Sequence, residues 1–219
     1  MKVINLKKCP STQAYLTNFI SKFPEFISGS TLVTTEHQTS GFGRKGNHWE
    51  FLPGSLAVSF TLRKSRYEHL TPLAIGVSCA EFFQLKKTNI SLKWPNDLMD
   101  KDHKKVGGII CQQAGDIIVC GLGLNLNQKN VPWSSIDIHE NPKSIAIELY
   151  NYLLNKKLSY EEIIKKWNQF CCHINQEVEI IDANKKTFGK FIGIDQNGSA
   201  QIDNTLEIKT ISSGSLFLR

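Results

Sequence analysis

The sequence predicts an α+β protein: a larger domain mixing helices with strands, followed by a small all-β domain. Two observations predict it. Up to about residue 173, segments with apolar residues at helical spacing are interspersed with β-branched or alternating runs, and beyond it only short alternating segments remain. The charge changes at the same place. Residues 1–173 carry 21 Lys and Arg against 14 Asp and Glu, whereas residues 174–219 carry 5 against 6. The expected domains are therefore 1–173 and 174–219, within the size at which one core, or a core with a small appendage, folds unaided.

Each element has a local reason. Ser11 precedes Ala14, Tyr15, Leu16, Phe19 and Ile20, which sets a helix over about 11–23. Residues 31–37 and 55–62 read as strands bracketing a Gly-rich polar loop, 38–50. Thr71 is placed to cap, and Pro72 to occupy the first turn of, a helix running to about Lys86. Residues 90–94 form a short strand closed by Pro95-Asn96-Asp97, and 105–113 with 116–126 form an antiparallel pair turning at Ala114-Gly115. Asn141-Pro142 opens a helix to about Asn155, and Ser159 with Glu162 makes a capping-box pattern ahead of Ile163, Ile164, Trp167 and Phe170. Alternating segments at 177–181, 187–194, 200–202 and 206–211 complete the chain, with turns at Asn197-Gly198 and Asp203-Asn204.

Composition narrows the class. The 41% hydrophobic and 21% charged content is that of an ordinary folded protein. The N-terminus lacks the apolar stretch of a signal peptide. The longest apolar run, residues 117–126, is interrupted by Gly121, Gly123 and Asn125 and falls short of the about 18 residues a spanning helix needs. Six cysteines show no C-x-x-C pair and no metal-ligand spacing, so they read as reduced thiols of a cytoplasmic protein, although adjacent Cys171 and Cys172 could bridge. Only ten residues precede the first helix, too few for a helix-turn-helix. The net charge of +6 suits an anionic nucleotide, an acidic protein or simply a solvated surface.

Four segments carry chemistry. Residues 38–49, Gln-Thr-Ser-Gly-Phe-Gly-Arg-Lys-Gly-Asn-His-Trp, bring three glycines, two cations and an indole into one loop. Its backbone N–H groups can cradle anionic oxygens, Arg44 can bind a carboxylate or phosphate in bidentate fashion, and Trp49 offers a face to a planar ring; a surface loop with Trp49 folded into the core is the alternative. Lys93-Trp94-Pro95-Asn96-Asp97 sets a lysine at the end of an apolar strand, where its ammonium can hold a carboxylate beside a phosphate or can snorkel to water. Val106-Gly107-Gly108-Ile109-Ile110 and Gly121-Leu122-Gly123-Leu124-Asn125 place glycines inside strands, where either a ligand or a sheet bend must justify them.

Together these segments resemble the biotin protein ligase family, with similarity over nearly the whole chain. Pro10-Ser11-Thr12-Gln13 is similar to its Ser-Thr-Asn helix start, residues 41–49 to its Gly-Arg-Gly-Arg loop, and residues 93–97 reproduce its Lys-Trp-Pro-Asn-Asp signature; the two glycine-bearing strands fit its Gly-Gly-Ile and Gly-x-Gly-x-Asn strands. The resemblance implies a mixed β-sheet with helices followed by a small C-terminal β-barrel, and adenylation of biotin by ATP with Mg2+ before transfer to a lysine of a biotin carboxyl carrier protein. It implies biotin binding by Ser11, Thr12, Gln13, Gln38, Gly43, Arg44, Lys93 and Gly108, and ATP binding by Arg44, Trp49, Lys93, Asn125 and Trp133. Lys93 and Arg44 are then the catalytic cations, and the Gly41 to Trp49 loop closes over the intermediate to exclude water.

The departures are Phe42 where the family's loop has its first arginine, and Gln13 for the asparagine of the helix start. The segment between Asn127 and Pro142 is short, with Trp133 its candidate lid residue. Rival readings are a lipoate ligase, against which residues 93–97 argue, and a non-catalytic biotin-binding module, against which Arg44 and Lys93 argue. Specific DNA binding and membrane association are not expected. An edge strand leaves homodimerisation open.

Overall fold

The computed structural model describes residues 1–23, 30–128, 134–183 and 185–219. In chain order the elements are β1 (Lys2–Leu6), α1 (Thr12–Lys22), β2 (Thr31–Thr35), β3 (Gly41–Phe42), β4 (His48–Trp49), β5 (Leu56–Arg63) and α2 (Thr71–Leu85). There follow β6 (Ser91–Lys93), β7 (Asp97–Met99), β8 (Lys105–Ala114), β9 (Ile117–Leu124), α3 (Pro142–Asn155) and α4 (Tyr160–Phe170). The last five strands are β10 (Glu177–Asp182), β11 (Lys185–Ile194), β12 (Ala200–Asp203), β13 (Ile208–Ile211) and β14 (Ser215–Leu218).

The first seven-stranded sheet has the order β1-β2-β5-β9-β8-β7-β6. Its β1–β2 pair is parallel and the others are antiparallel, so the sheet is mixed as expected. Alternation along β9 separates two faces. Ile117 and Val119 join Leu16 and Ile20 of α1, while Ile118, Cys120, Leu122 and Leu124 enter the larger core with α2, α3 and α4. That larger core continues without a break into Val178, Ile180, Phe191 and Ile202 of the second sheet. No helix among the described residues is long and apolar enough to cross a membrane.

The helix starts follow from capping. Ser11 Oγ accepts from Ala14 N, Asn141 caps α3 through Lys143 N, and Ser159 with Glu162 forms the full capping box of α4. Thr71 does not cap α2 as expected: a 3-10 turn over Glu68–Leu70 feeds straight into that helix, with Pro72 in its first turn. The stretch 38–50 is not a bare loop either, since β3 and β4 pair across a 3-10 turn.

The C-terminal strands make one antiparallel sheet, β13-β12-β11-β10-β14. This is the small all-β unit expected at the C-terminus, and among the described residues no ladder joins β13 to β14.

Candidate active site

Register builds the floor of the site. Lys93 of β6 pairs with Asp97 of β7, Asp97 with Gly108 of β8, Gly108 with Gly123 of β9, and Gly123 with Ala57 of β5. The next row runs Ile110–Gly121–Ser59. Both rows line a cavity of about 290 Å3 on the face that also carries α1. Small residues at its centre lower the floor, which gives the strand glycines a physical reason that a sheet bend does not supply.

One end of the cavity is neutral and polar. The start of α1 brings Ser11, Thr12 and Gln13 to it, all nearly inaccessible, beside Gln38. Gln38 Oε1 accepts from Thr12 N at 3.0 Å, which turns its Nε2 donor toward Gly41. Thr12 Oγ1 lies 3.0 Å from Ser59 Oγ. Gln13 Nε2 donates to Val119 O at 3.0 Å, and this fixes the amide so that the buried Oε1 is left without a partner, against Gly121.

The other end is cationic. Arg44 Nη1 donates to Asn96 Oδ1 at 3.4 Å and to Gly214 O at 3.2 Å, the latter just before β14. Asn96 is itself fixed by donating through Nδ2 to Ile109 O at 2.7 Å. Burial lowers the Arg44 guanidinium below its ordinary range, while Asp97 and Asp182 pull the other way, so the group remains a cation at neutral pH. Lys93 has no ion-pair partner among the described residues, whereas Lys105 Nζ lies 2.6 Å from Asp97 Oδ1; both line the cavity. Lys105 was not singled out in the sequence, where it only opens the strand expected over 105–113.

Gly43 and Trp49 also line the cavity, and Phe42 stands at its rim, 37% exposed. The Trp49 indole lies flat enough on β9 that a Cβ at Gly123 would meet its Cε2 at 2.7 Å. Its buried Nε1 has no partner. Asn125 is not among the lining residues: it is buried at the end of β9 and donates through Nδ2 to Ser134 O at 3.0 Å, leaving Oδ1 unpartnered. Trp133 lies outside the described residues. Among the described residues no group of three or more His, Cys, Asp and Glu side chains is placed to hold a metal.

Behind Lys93, the fully buried His173 sits with Nδ1 3.3 Å from Cys171 Sγ and packs on Phe191 with ring centroids 4.3 Å apart. Burial, helped by Lys93 and His103, pushes its pKa down to about 3. All six cysteines are free thiols, Cys171 and Cys172 included.

The pattern of the Biotin/lipoate A/B protein ligase family matches residues 7–125, and that of the Biotin protein ligase C terminal domain matches residues 173–219. The chain is 28% identical over 235 residues to the bifunctional ligase/repressor BirA of Escherichia coli (strain K12), spanning 95% of this chain and 71% of BirA. It is 25% identical to the biotin–protein ligase of Homo sapiens, over 88% of this chain and 31% of that protein. In structure it matches a biotin protein ligase from Aquifex aeolicus in complex with biotin and ATP, with a TM-score of 0.82 and 27% identity, over 100% of this chain and 98% of the other. With the family pattern running through more than half its length, and through the strands that build the cavity floor, the chain belongs to the biotin/lipoate A/B protein ligase family.

Proposed function

We infer that this protein is a biotin protein ligase: it activates biotin with ATP and transfers it to a lysine of a biotin carboxyl carrier protein or domain. The carrying observation is the polarity of the cavity. Its inner end offers neutral hydroxyls and amides, including a buried acceptor without a partner, and its outer end offers Arg44, Lys93 and Lys105. Biotin has the same polarity, a ureido ring of N–H donors and a carbonyl acceptor joined by an aliphatic chain to a carboxylate. The dithiolane ring of lipoate has no N–H to give to Gln13, which favours biotin over the sister substrate.

In this reading Ser11, Thr12, Gln13, Gln38, Gly43 and Gly108 surround the head and chain of biotin. Arg44 and Lys93 hold the carboxylate against the α-phosphate of ATP, with Lys105 beside them. A carboxylate approaching a phosphate needs fixed positive charge more than it needs a base. One carboxylate oxygen attacks the α-phosphorus, the bond to the bridging oxygen breaks, and pyrophosphate leaves. The neutral amine of the acceptor lysine then attacks the acyl carbon, the amide forms, AMP departs and the amine proton passes to solvent. Magnesium belongs to this reading as part of the nucleotide substrate, where it shields phosphate charge. Trp49 and Asn125 serve the adenosine part, together with Trp133.

Residues 1–173 form the ligase domain and 174–219 the smaller one. The cytoplasm is the compartment, which six free thiols support. Specific DNA binding has no part in this reading, and an edge strand offers the surface for a homodimer. The test is biotin-dependent conversion of ATP to AMP with a biotin carrier domain, lipoate run in parallel and Lys93→Ala as control. Biotinylated carrier that is lost in the variant supports the ligase; biotin binding without AMP release would replace it by a non-catalytic module.

A further inference from the structure

The C-terminal sheet reaches the loop that bears Arg44 through one carboxylate. Asp182, at the end of β10, lies 3.8 Å from Lys45 Nζ, and its Oδ2 accepts from Ser213 Oγ at 2.7 Å. Ser213 precedes Gly214, the residue whose carbonyl accepts from Arg44. We propose that Asp182 is a positioning residue of the ligase reaction: it holds the Gly41 to Trp49 loop over the cavity by gripping Lys45 directly and by fixing the Ser213-Gly214 turn that receives Arg44. This rests on the ligase reading given above.

The placement supports it in three ways. Lys45 adopts a left-handed backbone, φ 56°, so the loop turns sharply at the point where Asp182 meets it. Asp182 also pulls electrostatically on the Arg44 guanidinium. Ser215, Leu216 and Phe217, which follow the same turn, line the cavity, so the C-terminal sheet forms part of its wall. Asp182 is not itself a lining residue and touches no substrate position; whatever it does to the chemistry passes through Arg44 and Lys45. The Lys45 pair is partly exposed, 54% and 44%, which sets the expected size of the effect at that of a surface pair.

The experiment uses the full chain with Asp182→Asn, Asp182→Glu, Lys45→Met and the double variant. Tryptic cleavage after Arg44 and Lys45 is followed without substrates, and KM, kcat and release of free biotinyl-adenylate are measured with biotin, ATP and a carrier domain. Asp182→Asn should cleave about fivefold faster after Arg44, raise both KM values by a similar factor and leave kcat within about twofold, with more adenylate escaping to solution. Asp182→Glu should recover most of this, and the double variant should add little to either single one. Unchanged cleavage and KM in Asp182→Asn, or fully additive effects, would overturn the proposal. A wild-type chain that forms no AMP would instead overturn the ligase reading, leaving the cleavage result to judge the latch by itself.

Discussion

Lys105 Nζ lies 2.6 Å from Asp97 Oδ1, and Asp97 pairs through its backbone with Lys93, so the Asp97 carboxylate anchors Lys105 while the strand register sets Lys93 beside it at the cationic end of the cavity. Paired with Asp97, Lys105 is held in place before any substrate arrives. Its charge is then available to the carboxylate and phosphate without reorganisation. Lys105→Met should lower the rate of biotin-dependent pyrophosphate release about 100-fold, with biotin affinity changed far less, because the missing charge matters most where negative charge accumulates. Asp97→Asn should be milder, since it frees Lys105 without removing it. A Lys105→Met enzyme with wild-type kcat would remove this lysine from the reaction.

Gln13 gives a test of substrate choice. Its Nε2 is committed to Val119 O and its Oε1 is buried without a partner, so the position is built to accept from a donor in the ligand. Gln13→Met keeps the length and loses the acceptor. Calorimetry should show biotin affinity reduced about tenfold, the usual cost of one hydrogen bond at a buried site, with lipoate affinity unaffected. An equal loss for both ligands would mean that the side chain only packs.

Much of the frame and most of the site were legible in the residues. The Lys93 to Asp97 motif, Gly108 of β8, Gly121 and Gly123 of β9 and the Ser11 helix start all reach one cavity because each is a local pattern at an element end or on a strand face. What escaped depends on pairing across the chain. β1 and β14 are short edge strands with mixed burial, and β7 follows a turn so closely that it reads as part of it. Lys105 escaped for a sharper reason. The β7–β8 ladder shifts register between Leu98 and Met99, and this bulge buries Val106 completely and brings Lys105 out on the cavity side, which simple alternation along β8 assigns to Val106. The closeness of residues 44–45 to Asp182 and Gly214 is likewise a contact between distant parts of the chain, with no local trace.

His173 predicts an acid limit to stability. Buried neutral with a pKa of about 3, it binds no proton in the folded state at pH 5 to 6, whereas in the unfolded chain it titrates near 6.5. The unfolded state therefore holds more protons in this window, and stability falls as the pH falls below about 6.5, until the folded-state value is reached. Urea denaturation should give a loss of about 1 kcal/mol between pH 6 and pH 5 from this residue. His173→Gln should flatten that slope while lowering stability at pH 7. A slope unchanged in the variant would assign the proton uptake elsewhere.

Gly123 and Trp49 make the last prediction. The indole lies so close to the strand that a Cβ at position 123 would stand 2.7 Å from Cε2 and 2.8 Å from Nε1, well inside contact distance. Gly123 is in the middle of the floor row, held on both sides by Gly108 and Ala57, and its backbone has no room to retreat. Trp49 is on the two-residue strand β4 and is half-exposed, so it is the partner that gives way. Gly123→Ala should shift Trp49 outward, seen as a red shift of its emission relative to a Trp49→Phe control, and raise the KM for ATP about tenfold by removing a wall for the planar base. Global stability should change by less than about 1 kcal/mol, because the displaced ring leaves a rim position and not the core. Introduced into Trp49→Ala, the same substitution should have little further effect on the KM, since the clash it creates has no ring to meet; a full additional loss there would show that Gly123 contacts the nucleotide by itself.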